Sequence, residues 1–205
     1  MSDWWLPEGH FFDLHIEHRP LEDAGEFTGG GNKWVWHTTE SPWNAVDAMY
    51  ETLKAKRAAP HFVIGLRDGL QHPVVIQMVA LNRAGRALGN DSADGHQTNR
   101  ADCIQTEICG VAANSGDWPT TRYKALANLV RLTNNTVPDS REVPREIARA
   151  FSNTTRFSDS GFVTASGHCG HMHVPDNDHV DPGTNFRGNL LMDLLANMPN
   201  GGYDL

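Results

Sequence analysis

Residues 33–65 open with Lys33-Trp34-Val35-Trp36-His37 and close with His61-Phe62-Val63-Ile64-Gly65. Both runs are rich in aromatic and β-branched side chains and read as strands. Between them, Ser41 followed by Pro42 has the form of a helix N-cap with proline at the first helical position. From Trp43 to about Lys56, Val46, Met49, Tyr50 and Leu53 recur at helical spacing. Strand, helix and strand in close succession predict an α/β domain, and the flanking sequence extends that pattern. Downstream, Arg67-Asp68-Gly69 predicts a hairpin turn, with residues 73–79 as the returning strand. Cys103 to Cys109 is apolar and strand-like, and Pro119 opens a helix to about Thr133 that carries Leu126, Leu129, Val130 and Leu132. A second helix is predicted over Val143–Phe151. A last one, from Gly188 or Asn189 to Met198, carries Leu190, Leu191, Leu194 and Leu195.

The remaining segments read as irregular. Residues 1–31 end in Gly29-Gly30-Gly31 and show no clear period, so they are expected to form an irregular lead-in. Residues 89–99 are a polar loop, and residues 158–187, rich in Gly, His, Asp and Pro, look like a site-forming loop. The expectation is a single α/β domain over 1–205, with a central mixed β-sheet of four or more strands flanked by α-helices.

Composition narrows the function. Hydrophobic residues make up 39% of 205, enough for one real core. The formal charge is −8 with no lysine or arginine block, which argues against nucleic acid as a partner. No run of eighteen apolar residues exists to span a membrane. Met1-Ser2-Asp3-Trp4-Trp5 lacks the basic head and apolar core of a signal peptide, so synthesis in the cytoplasm without ordinary secretion is expected. The three cysteines, 103, 109 and 169, form no CxxC pair and no disulfide scaffold. Cys103 and Cys109 flank a strand and read as small hydrophobes, whereas Cys169 sits beside a histidine cluster and is a candidate ligand or pair partner.

That cluster is the main chemical signal. His168, His171, His173 and His179 fall within twelve residues, interleaved with Asp176, Asp178 and Asp181. Imidazole and carboxylate are ligands of catalytic zinc, which takes three protein groups and keeps a fourth position open. The bland alternative is a solvated polar loop. His37, at the end of an apolar strand, is by itself more commonly a hydrogen-bonded structural residue, but it can also serve as a distant third ligand. Glu107 lies in Ile104-Gln105-Thr106-Glu107-Ile108, where alternation puts Gln105 and Glu107 on one face. It marks either an edge strand with a wet face or a partly buried general base.

Taken together, Trp36-His37-Thr38-Thr39-Glu40, Pro60-His61-Phe62-Val63-Ile64, Gln77-Met78-Val79-Ala80-Leu81, Ile104-Gln105-Thr106-Glu107-Ile108, and Gly170-His171 through Val174-Pro175 to His179-Val180-Asp181-Pro182-Gly183 resemble a known family. It is that of the zinc-dependent N-acetylmuramoyl-L-alanine amidases, which share a fold with peptidoglycan recognition proteins. The likeness runs from about Trp34 to Leu195, and it is greatest to amidase domains of endolysins from phages of actinobacteria. The first and last motifs are specific; the middle ones gain weight from their order. The resemblance implies zinc ligands at His37, His171 and Asp181, with His173 as the alternative to His171. It implies a catalytic Glu107. It also implies an oxyanion-stabilising role at position 179, where the family often has lysine and this chain has His179. The implied activity is hydrolysis of the amide between N-acetylmuramic acid and L-alanine in peptidoglycan, by a monomer acting on the cell wall. A non-catalytic peptidoglycan-binding module of the same fold is the alternative, and another kind of zinc hydrolase is a third reading.

Overall fold

The computed structural model describes residues 3–89 and 98–197. Seven strands form one mixed sheet: β1 (Gly9–Phe11), β2 (Leu14–His18), β3 (Lys33–Thr38), β4 (Phe62–Gly65), β5 (Val74–Gln77), β6 (Cys103–Ile108) and β7 (Gly167–Gly170). Their spatial order is β1-β2-β5-β4-β6-β3-β7. β4, β6, β3 and β7 run parallel to one another, β5 is antiparallel to β4 and parallel to β2, and β1 closes the far edge as a hairpin with β2. Every residue of β3 is buried, as expected of a parallel strand covered on both faces.

Alternation along the strands sorts side chains to two layers. Trp34, Trp36, Phe62, Ile64 and Ile104 face α2 (Thr120–Thr136) and α4 (Gly188–Asn197), meeting Leu126, Leu129, Val130, Leu191 and Leu195 in the main core. On the other face Val63, Val74 and Ile76 pack against Val46, Tyr50 and Leu53 of α1 (Val46–Ala55). Beside them, Val35, Cys103 and Cys169 pack under Phe162 of α3 (Asp159–Thr164). Among the described residues, no helix is long and apolar enough to cross a membrane.

The α/β sheet, the strand–helix–strand unit at 33–65 and the 62–65/74–77 hairpin agree with the sequence reading, and several details do not. The lead-in is not irregular throughout: Leu14 and Ile16 are buried and alternate with His15 and Glu17, making β2 a half-buried strand. Ser41 and Pro42 do not start α1; a turn closed by Ala45 N–H on Pro42 O (3.2 Å) intervenes, and the helix begins at Val46. No helix forms over 143–151. Instead His168 N–H donates to Glu146 O (2.8 Å) and Ala148 N–H to His168 O (2.9 Å), so this segment covers the open edge of β7. Satisfying that edge outweighs local helix preference. The 158–187 loop contains α3 and β7. Most of the polar 89–99 loop, and the predicted helix end at Met198, lie outside the described residues. All three cysteines are buried and free.

Candidate metal centre

The parallel strands bring their carboxyl ends to one edge of the sheet, and the candidate residues gather there. His37 is the penultimate residue of β3, and Glu107 stands beside it in register on β6. Paired residues of neighbouring strands point to the same face, so the two side chains share one floor. β7 borders β3 on the other side and leads directly into a single 3₁₀ turn, residues 171–173, which starts with His171. The chain then loops out and returns at Asp181, where Met172 N–H donates to Asp181 O (2.9 Å). Gly170 allows that return. A Cβ there would lie 2.5 Å from Pro182 Cδ and 3.3 Å from Asp181 O.

His37, His171 and Asp181 are all buried, and one ligand atom from each lies within 4.8 Å of the others. The Nδ1 atoms of His37 and His171 are 3.1 Å apart. His171 Nδ1 is 3.4 Å from Asp181 Oδ1, and His37 Nδ1 is 3.7 Å from Asp181 Oδ2. Two ligands of a tetrahedral zinc, each ~2.0–2.2 Å from the ion, stand roughly 3.3–3.6 Å apart. The three separations bracket that value. The surroundings also favour the neutral imidazoles and ionised carboxylate that a metal requires. Burial holds His37 well below its ordinary pKa, and it lowers His171 as well. Burial works against ionisation of Asp181, but hydrogen bonds from His171 and His179 overcome it and hold the carboxyl below its usual range. Thr38 N–H fixes Asp181 Oδ2 at 3.2 Å.

Glu107 Oε1 is 3.8 Å from His37 Nδ1, and its Oε2 is buried with no hydrogen-bond partner among the described residues. Burial, with the nearby Asp181 charge, pushes this carboxyl up to about 8. His179 is half exposed at the mouth of the site. It stacks on His171 with ring centroids 3.8 Å apart, and its Nδ1 is 3.2 Å from Asp181 Oδ1. The Asp181 hydrogen bond raises its pKa.

The other histidines of the cluster are occupied elsewhere. His173 Nδ1 accepts from Gly170 N–H (3.0 Å), and its Nε2 lies 2.7 Å from Asn153 O, so both nitrogens brace the loop. His168 stacks on Trp34 and Trp36 and accepts from Trp36 Nε1–H (3.1 Å), inside the core. Cys169 packs on the opposite layer with Val35 and Phe162, outside the His37–His171–Asp181 group. Two supporting residues escaped the sequence reading. Glu40 Oε1 accepts from Thr38 Oγ1–H (2.7 Å) and Ala112 N–H (2.9 Å), tying the ends of β3 and β6 together. Gly170 permits the Pro182 contact, and its position just before a histidine was the available signal.

No protein-family model matches the sequence. No curated protein matches it either. Among solved structures it is similar to AmpD, studied as a selenomethionine derivative, with 16% identity and a TM-score of 0.56 over 93% of this chain and 99% of that one. It is similar to PlyL at 14% identity and a TM-score of 0.54, over 88% and 96%. It is also similar to the Staphylococcus aureus hydrolase AmiA, solved with its ligand, at 12% identity and a TM-score of 0.55, over 89% and 82%. At these identities the likeness is one of fold, and the chain shares the single-domain α/β architecture of AmpD, PlyL and AmiA.

Proposed function

We propose that this chain is a zinc-dependent N-acetylmuramoyl-L-alanine amidase, acting as a phage endolysin or another cell-wall lytic enzyme. It would cleave the amide between N-acetylmuramic acid and L-alanine in peptidoglycan, and work as a monomeric single domain over residues 1–205. The observation that carries this reading is the convergence of His37, His171 and Asp181 beside Glu107 at the carboxyl edge of the sheet. The order of motifs that resembles the amidase family supports it, as does the shared fold.

In this reading His37, His171 and Asp181 would hold zinc. Zinc held there supplies Lewis acidity, making water a stronger acid and polarising the scissile carbonyl. Glu107, with its carboxyl raised by burial, takes the proton of the attacking water. It returns that proton to the alanine nitrogen as the C–N bond breaks. Glu107 belongs to no ion pair with a lysine or arginine among the described residues, which leaves its proton affinity high enough for the task. His179 keeps Nδ1 on Asp181 and offers its other nitrogen to the developing oxyanion.

The deciding experiment is dye release from purified cell walls with and without chelator, followed by mass spectrometry of the soluble products. The amidase reading requires chelator-sensitive release and new lactyl-muramic and free L-alanine ends. Release with any other new end would assign a different hydrolase. Wall binding without release would assign a binding module.

A further inference from the structure

A second group of histidines stands at the other side of the sheet. β5 runs antiparallel to β4, and β2 runs parallel to β5, so the amino ends of β2 and β5 reach the same edge as the carboxyl ends of β3 and β6. There His10 of β1 and His15 of β2 are direct cross-strand partners. Residues so paired share a face with Cβ atoms ~4.5–5.5 Å apart. Their ring centroids are 4.6 Å apart. His72, in the β4–β5 connection, meets the His10 ring edge-on at 6.3 Å and also lines a cavity of about 280 Å³ with Trp43 and Arg122.

The chemistry of His15 sets this group apart from an accidental surface cluster. Its Nε2 lies 3.1 Å from Glu17 Oε1. Glu17 is itself gripped by Arg67, through Nη1 at 2.5 Å and Nη2 at 2.9 Å, and by Arg19 at 2.9 Å. Arg67 holds the Glu17 carboxyl down to about 2, so it stays an acceptor. The proton of neutral His15 therefore sits on Nε2, and the lone pair sits on Nδ1. That Nδ1 is buried and has no hydrogen-bond partner among the described residues. A buried acceptor without a donor is costly and calls for an explanation. A carboxylate holding one imidazole nitrogen while the other keeps its lone pair is the arrangement that orients metal-bound histidines.

We propose that His15 and His10, with His72 turning in as a third ligand, form a second metal site for a borderline divalent ion of the zinc or copper(II) type. Imidazole nitrogens suit such ions and not calcium or magnesium. The ion would staple the edge hairpin β1–β2 to the β4–β5 connection, at the same end of the sheet as His37 and Asp181. The claim is independent of the proposed amidase activity.

The test is equilibrium dialysis of the full chain against excess zinc, with metal counted per chain, on the parent and on His10→Asn and His15→Asn. The parent should hold two equivalents, one tight and one weaker. Each variant should lose the weaker one and keep the tight one, because neither residue belongs to the His37 trio. Zinc beyond the first equivalent should raise the parent's Tm and leave that of His10→Asn unchanged, as ligand linkage requires. Glu17→Gln, which releases the tautomer, should weaken the second site by about 10–100-fold. Zinc binding that His10→Asn and His15→Asn leave unchanged overturns the proposal, whether the parent holds one equivalent or two. Loss of the tight equivalent alone would count against the His37 trio and not against this site.

Discussion

Gly170→Ala isolates the way the fold aims Asp181. The added methyl would sit 2.5 Å from Pro182 Cδ and 3.3 Å from Asp181 O. Carbon atoms in contact prefer ~3.5–4.0 Å, so Pro182 must retreat by about 1 Å. Pro182 follows Asp181 directly, and both Asp181 oxygens are placed to the ångström, one against Thr38 N at 3.2 Å and one against His171 Nδ1 at 3.4 Å. A metal site tolerates only ~0.2 Å in its ligand distances. Binding the ion must then press the loop back against the methyl, at the ~1–3 kcal/mol typical of overpacking. That corresponds to about a 5- to 150-fold loss of zinc affinity. Competition against a chromophoric chelator measures the affinity, and circular dichroism melts of the stripped protein check that the fold persists. Dye release should fall at limiting zinc and recover in excess zinc. If the variant folds and its zinc affinity is within about twofold of the parent's, Pro182 does not hold Asp181 in place and the argument fails.

Glu107→Gln should retain zinc and fold yet lose about 10²–10⁴-fold in dye release, and a loss smaller than about tenfold would remove Glu107 from the role of base. His37→Ala and Asp181→Ala should lose metal and activity together, as read by metal content of the dialysed protein; either variant with full zinc and turnover refutes the ligand assignment. His173→Ala should keep the zinc but melt lower by about 1–3 kcal/mol, because it strips Gly170 N–H and Asn153 O of their partner; lost zinc with an unchanged melt would reverse the choice between His171 and His173. The Glu17 carboxyl has an ordinary pKa of 4.5, and its arginine partners lower it to about 2 in the folded chain. A depressed carboxyl stabilises above its unfolded pKa, and that contribution is lost as pH falls through the folded value. Urea melts should therefore show the parent ahead of Glu17→Gln by about 1–2 kcal/mol at neutral pH, after discounting for partial exposure, with the gap closing between about pH 4.5 and 2. A gap that stays constant across that window would refute the linkage.

The residues that stood out in the sequence did so because they broke a local pattern. His37 ends an aromatic strand and Glu107 interrupts an apolar one, and the sheet sets the two side by side in register. The density of histidines between 168 and 179 pointed to the loop that brings His171 and Asp181 to His37, but could not rank its members. His168 differs from His171 only in that β7 turns it onto Trp34 and Trp36, and His173 differs in that both its nitrogens are spent on backbone. Trp34, Trp36 and Asn153, which make most of those distinctions, lie outside the loop. The same holds for residues 143–151, whose side chains allow a helix but whose backbone is claimed by the edge of β7. β2 was missed because Leu14-His15-Ile16-Glu17 alternates for only four residues between polar neighbours.

The placement of β3 between β6 and β7 has a consequence for synthesis. His37 and His171, whose Nδ1 atoms face each other, are separated by 134 positions in the chain. Trp34 and Trp36 leave the ribosome before their neighbours in the sheet, and both flanks of their strand remain open until residues 103–108 and then 167–170 have been made. Such long-range closure slows folding and leaves apolar strand surface bare in the meantime. A metal held by His37, His171 and Asp181 could thus bind the nascent chain only after Asp181 has been translated and has docked. Any hydrolytic power that depends on this trio can arise only once residues 37, 171 and 181 have all been made.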